Sequence, residues 1–189
     1  MAAASLPFAV EGKTAIVTGG GSGICFSFCA LLLSKNCNVL IADLSLRPEA
    51  QALLEKYTTT PRAIFQKTDV TSWPALDAAF KRCLSEFGGY DIICPGAGVY
   101  EPHFSNFWYP PGSPESKDAK DGDRYMTMDI NVTHPIRMAQ LALADFLHPP
   151  RDSKMKPADP SNPKRIVMIS SIAGQTTGLM TPLYFASKW

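Results

Sequence analysis

The strands of this chain, and the segments that link them, constrain its fold most. Residues Thr14–Thr18 (TAIVT), Asn38–Asp43 (NVLIAD), Ala63–Lys67 (AIFQK), 91–94 (DIIC) and 164–170 (KRIVMIS) are short and mostly apolar, with β-branched residues prominent. Their apolar residues run together instead of alternating with polar ones, the pattern of strands buried on both faces. Helical patterns lie between them, at 24–35, 47–57, from Pro74 to Phe87, and at 125–147. Asn36 suits a C-terminal cap, Thr71 or Ser72 an N-terminal cap with Pro74 in the first turn, and Gly88 and Gly89 a stop. Strand and helix in strict alternation predict a doubly wound α/β domain with about five parallel strands, spanning residues 1–189. Residues 99–123 and 148–163 carry four and five prolines and read as surface loops.

The first strand runs into Thr18-Gly19-Gly20-Gly21-Ser22-Gly23-Ile24, which opens the first helix. A helix N-terminus offers unpaired N–H groups, and glycines let a pyrophosphate approach the backbone. The G-x-G-x-x-G spacing is absent, and a flexible glycine-rich turn is the alternative. Asp43 ends the second strand 24 positions after Gly19, close to the offset of about 20 expected for an acid that binds a ribose 2′-hydroxyl. A carboxylate there repels a 2′-phosphate, so NAD is expected over NADP. Arg47 lies near enough to reach such a phosphate, and Asp43 as a loop cap is the other reading.

Tyr184 and Lys188 stand four residues apart and share one face of a helix. An isolated phenol, with a pKa of about 10, is a poor base at neutral pH. A nearby cation stabilises the phenolate, and the pair then serves as a general acid/base. Ser171 follows the fifth strand at the sheet's carboxyl end, where its hydroxyl can meet a substrate oxygen or simply cap the next turn.

Together, Thr18-Gly19-(x3)-Gly23-Ile24, Asp43, Asp69-Val70, Ala97-Gly98, Asn131, Ser171 and Tyr184-(x3)-Lys188 resemble the short-chain dehydrogenases/reductases, from about residue 10 to the last residue. The resemblance implies a Rossmann-type fold and hydride transfer between a secondary alcohol or ketone and NAD(P). It implies that Tyr184 carries the proton, Ser171 orients the reacting oxygen, Lys188 stabilises the phenolate and binds the nicotinamide ribose, and Asn131 holds a water linking Lys188 to solvent. Gly19, Gly21, Ser22, Gly23, Ile24, Asp43, Asp69, Val70, Ala97, Gly98, Tyr184 and Lys188 are the implied cofactor contacts. A homo-oligomer is also implied.

Several residues depart from the family pattern. Cys25 stands where a third glycine allows close helix–strand packing, which predicts a widened contact. Pro95-Gly96-Ala97-Gly98 replaces an Asn-Asn-Ala-Gly turn, which predicts a less rigid turn. Pro135 has no N–H for the carbonyl of residue 131, so a kink is expected there, with that carbonyl free to help hold the relay water. The match stops at Trp189, and the resemblance implies two more strand units in family members, roughly 60 residues. A fold lacking the last strand units is expected, and an inactive dinucleotide-binding remnant is the alternative function.

Composition narrows the partners. With 18 basic and 17 acidic residues, no charge excess points to nucleic acid or an anionic membrane. The five cysteines lack metal spacing and read as buried free thiols, with no metal expected. The start, MAAASLPFAVEGK, has no basic leader pattern and no apolar run reaches membrane length, so a cytoplasmic protein is expected. A Rossmann methyltransferase also uses a glycine turn and a strand-two acid, but Asn131, Ser171, Tyr184 and Lys188 speak against it. Phe104, Phe107, Trp108 and Tyr109 in the first long loop suit an apolar alcohol or ketone, lipid-, steroid- or polyketide-like, or else a surface cover. General resemblance to hydroxyprostaglandin-dehydrogenase-like members is compatible with the former.

Overall fold

The computed structural model describes residues 8–189. The expectation of no leader falls partly on the first seven residues, which lie outside the described residues. Strands β1 (Thr14–Thr18), β2 (Asn38–Asp43), β3 (Ala63–Lys67), β4 (Ile92–Pro95) and β5 (Arg165–Ile166) form one parallel sheet in the order β3-β2-β1-β4-β5. Successive strand residues point to opposite faces. Ile16, Leu40 and Ile93 therefore pack under helices α3 (Trp73–Phe87) and α5 (His134–Leu147), against Leu76, Phe80, Met138 and Phe146. Ala15, Val17, Val39, Ile41 and Cys94 face α1 (Gly23–Ser34), against Cys29, Leu32 and Leu33. Leu53 and Leu54 of α2 (Pro48–Lys56) complete that layer. Both faces are covered, which explains the continuous apolar strands.

Local signals set several boundaries as expected. The Ser72 hydroxyl accepts the Ala75 N–H at 3.3 Å and caps α3, and Gly88 ends that helix at φ +80°. Asn36 takes φ +60° just after α1, a left-handed stop.

Two elements differ from expectation. The fifth strand, expected over 164–170, pairs only at Arg165–Ile166, with one further bond from the Val167 N–H to the Ile93 carbonyl. The next donor in that ladder belongs to residue 95, which is proline and has none. The helix expected over 125–147 is broken into α4 (Met126–Met128), a π-helical stretch at Asp129–Thr133, and α5. The His134 N–H bonds the Asp129 carbonyl, five residues back. In that register the donor missing at Pro135 faces the Ile130 carbonyl rather than that of Asn131. A last helix, α6 (Pro182–Lys188), follows a short turn at Ile172–Gly174. No helix among the described residues is long and apolar enough to cross a membrane.

Candidate active site

The strand order reverses between β1 and β4, and at their carboxyl ends lies a cleft of about 400 Å³. Gly19, Ser22, Gly23, Ile24, Asp43, Asp69, Val70, Ala97 and Gly98 line it. Four of its lining residues are glycines, Gly19, Gly23, Gly96 and Gly98. Gly19 has φ +73°, and a Cβ there would stand 2.8 Å from the Ala97 Cα. A Cβ on Gly21 would strike the Ser45 carbonyl and come within 2.8 Å of Asp43 Oδ2. Ser22 starts α1 without any side-chain cap bond, so the first N–H groups of that helix are unused by a cap at the cleft.

Asp43 is held rigidly at the rim. Its Oδ2 accepts the Gly21 N–H at 2.9 Å and its Oδ1 the Leu44 N–H at 2.7 Å. Each oxygen keeps a further lone pair for a hydroxyl donor. Asp69 also faces the cleft, with Oδ1 committed to the Thr71 N–H and hydroxyl at 2.9 and 2.8 Å.

The turn after β4 is braced in a way the sequence did not announce. Thr18 Oγ1 accepts the Ala97 N–H at 3.2 Å and lies 3.0 Å from His134 Nε2. His134 Nδ1 lies 3.0 Å from the Ile130 carbonyl, which can only accept, so Nδ1 carries the proton and Thr18 donates to Nε2. This chain of bonds ties β1, the β4 turn and the π-helical stretch together. The expected loss of rigidity at Pro95-Gly96-Ala97-Gly98 is thus offset, and the same imidazole satisfies the carbonyl that Pro135 cannot serve.

Burial pushes the His134 imidazole down to about 4, with the Ile130 hydrogen bond opposing. Between that value and the ordinary 6.5 the unfolded chain binds a proton that the folded chain refuses. Stability is therefore complete above about pH 6.5 and declines as the pH falls towards 4, by roughly 3 kcal/mol at the limit. Thermal midpoints recorded from about pH 7 down to about pH 4 should show this decline. His134→Gln, which can both donate and accept there, should flatten it; an unchanged slope would contradict the assignment.

Cys25 packs where α1 meets the turn after β4. It is buried, and a Cβ on Gly96 would strike its sulfur, so glycine on the strand side makes the room that the helix side lacks. Hydrogen bonding to Cys25 and burial push the Cys94 thiol up, while the same bond holds the Cys25 thiol low. All five cysteines are free and buried.

Asn131 sits in the π-helical stretch and grips Val99 twice. Its Nδ2 donates to the Val99 carbonyl and its Oδ1 accepts the Val99 N–H, both at 2.9 Å. The same Nδ2 reaches the Ser187 hydroxyl at 2.9 Å, which joins Asn131 to α6. Lys188 Nζ donates to the Ile169 carbonyl at 3.2 Å and lies 5.8 Å from the centre of the Tyr184 ring. Asn131 and Lys188 line a second cavity of about 200 Å³, which shares Gly96, Ala97 and Ile169 with the first. Tyr184 and Ser171 line neither. Ser171 caps the turn at Ile172–Gly174 by accepting the Ala173 N–H at 3.2 Å, which leaves its hydroxyl hydrogen free to donate. Among the described residues no hydrogen bond joins Ser171 to Tyr184.

Sequence reasoning missed His134, Ser187 and Glu101, and also Gly174 and Gly178. A Cβ on Gly174 would strike the Lys188 carbonyl, and one on Gly178 would meet the Phe185 ring at 2.5 Å. These glycines let the segment after β5 lie flat on α6. The long loop is organised by buried polar residues, Glu101, Ser105 and Asn106, while Phe107 and Trp108 stay about half exposed.

Comparison with known proteins places this geometry. A family model described as short chain dehydrogenase matches residues 13–189. A hydroxynaphthalene reductase-like protein, Arp2, from Metarhizium majus is 28% identical over 186 residues, covering 96% of this chain and 60% of that protein. An NADP-dependent dehydrogenase, M3, from Phoma is 31% identical over 182 residues, covering 95% of this chain and 51% of that protein. The chain thus spans about half to three fifths of these curated relatives. A crystal structure of a 3-ketoacyl-(acyl-carrier-protein) reductase from Brucella melitensis, complexed with NADH, shares the fold at a TM-score of 0.71 and 21% identity, over 95% of this chain and 65% of that one. The family implies a nicotinamide dinucleotide cofactor, and the glycine-rich cleft, with uncapped helix N–H groups and a carboxylate at its rim, fits one. By its family model and by its fold, this chain belongs to the short-chain dehydrogenases.

Proposed function

We propose that the cleft holds NAD and that the chain interconverts a secondary alcohol and a ketone. The observation that carries this reading is the junction of two cavities. The glycine-rich cleft abuts the cavity bordered by Asn131 and Lys188, and Lys188 stands beside Tyr184 on one short helix. When bound, the nicotinamide supplies or accepts the hydride.

The chain's own residues manage the proton and the oxygen. Tyr184 gives a proton to a substrate carbonyl oxygen, or takes one from an alcohol. The Lys188 ammonium provides the positive charge that a phenolate needs. Ser171 turns its free hydroxyl hydrogen towards the substrate oxygen. Asn131, fixed by three hydrogen bonds, borders the space through which Lys188 meets solvent. Gly19, Gly21, Ser22, Gly23 and Ile24 receive the pyrophosphate, and Asp69, Val70, Ala97 and Gly98 flank the rest of the dinucleotide.

Asp43 sets the preference for NAD. Its carboxylate accepts ribose hydroxyls and repels a 2′-phosphate. Arg47 is exposed and lines no part of the cleft. Asp43→Ala should weaken NADH at least about tenfold, the value of one lost charge-assisted bond, and narrow or reverse the margin over NADPH. Paired titrations with both cofactors check this; an unchanged ratio would contradict it.

The substrate is apolar. Tyr100, Trp108, Leu179 and Met180 are exposed large side chains, Tyr100 packs on the Tyr184 ring, and Trp108 bonds the Leu179 carbonyl at 3.1 Å. An exposed apolar patch beside a reacting group suits a ring- or chain-like ketone. The test is NADH consumption over a panel of apolar ketones and keto sugars. Turnover confined to the apolar set is expected; turnover of sugars alone, or of neither class, would overturn the reading.

A further inference from the structure

Glu101 is buried, only 3% exposed, and its backbone takes φ +40°, a left-handed conformation that glutamate rarely adopts. A strained residue with a buried carboxylate marks a position that its surroundings enforce. Those surroundings are specific. Oε2 accepts the backbone N–H of Tyr184 at 2.9 Å, and Oε1 accepts the backbone N–H of Phe107 at 2.9 Å. The Glu101 carbonyl accepts Asn106 Nδ2 at 3.0 Å, and Asn106 Oδ1 takes the Trp108 N–H at 2.9 Å. The preceding residue, Tyr100, sets its ring against that of Tyr184, with centres 4.6 Å apart at 65°.

The Tyr184 N–H lies in the first turn of α6, where a helix offers its own N–H groups no carbonyl partner. Glu101 supplies that partner from 83 residues away. We propose that Glu101 is a positioning residue: its carboxylate fixes the backbone from which the Tyr184 phenol projects and locks it to the aromatic loop at 104–109. The inference rests on the reading of Tyr184 as the proton carrier. It goes beyond that reading by naming the group that sets where the phenol stands. Glutamate suits the task because both its oxygens accept. Glutamine offers one acceptor and an NH₂ group, which must face one of the two N–H donors. Aspartate keeps two acceptors on a shorter arm.

Three measurements test this. In Glu101→Gln, kcat should fall about tenfold to a hundredfold, the cost of a misplaced reacting group, while the Kd for NADH stays within about twofold. Glu101→Asp should recover part of the loss. In the unaltered protein, hydrogen exchange at the Tyr184 amide should be at least about tenfold slower than at Leu183, whose N–H has no partner among the described residues. This readout needs neither a variant nor turnover. Equal exchange at the two amides overturns the proposal. So does a kcat loss in Glu101→Gln matched by an equal loss of NADH affinity, the mark of general unfolding. If Tyr184→Phe turns over normally, the reading of Tyr184 fails on its own, and amide exchange still decides whether the Glu101 bond exists.

Discussion

Replacing Tyr184 by phenylalanine is expected to lower turnover by about 10²- to 10⁴-fold, the range supplied by a positioned general acid/base. The change removes one oxygen. It keeps the ring that meets Tyr100 and Lys188 and the N–H that meets Glu101, so the fold of α6 should be untouched. NADH affinity should hold within about twofold, because the cleft lining does not include Tyr184. The two readouts separate chemistry from folding. A fall in turnover with constant binding places the phenol in the chemical step. A parallel fall in both would mean that the residue serves the fold instead.

The second large effect belongs to Gly19. Alanine there must adopt φ +73°, at a cost of about 1–2 kcal/mol, and must place its Cβ 2.8 Å from the Ala97 Cα. That neighbour is backbone and cannot rotate away, so overpacking adds about 1–3 kcal/mol. The two turns flanking the cleft are driven apart, and the Thr18 bond to the Ala97 N–H that joins them is strained. Gly19→Ala should lower the denaturation midpoint and weaken NADH at least about tenfold. Gly12 is the control. It has φ +71° with open space around it, so alanine there meets the conformational cost alone and should leave NADH binding unchanged.

These effects show which links of the structure were legible in the sequence. The parallel sheet was, because apolar strands with covered faces leave no solvent side to encode. The caps were, because Ser72 and Gly88 act on their own helix. The glycine turn and Asp43 were, because 24 positions of one β-α-β unit bring them together. What was not legible runs across the chain. The fifth strand is cut short by a proline on its neighbour, and no pattern within 164–170 records that. The His134 imidazole meets Thr18 across 116 residues, and its one local hint was the adjacent Pro135. Glu101 lies in a segment with the composition of a surface loop, and nothing beside it in sequence says that its carboxylate reaches α6. The aromatic residues at 104–109 have the pattern of a lining, yet the residues that order the loop are its buried polar ones. Local chemistry was readable; pairing between distant segments required the fold.

On the proposed reading, the cleft between the β1 and β4 turns holds a nicotinamide dinucleotide against Asp43. The most direct measurement is a titration with NADH, read by nicotinamide fluorescence and repeated with NADPH and with Gly19→Ala. A saturable one-site curve is predicted, at least about tenfold weaker for NADPH and for the variant. A titration that does not saturate, or one that ignores the substitution at Gly19, would contradict it.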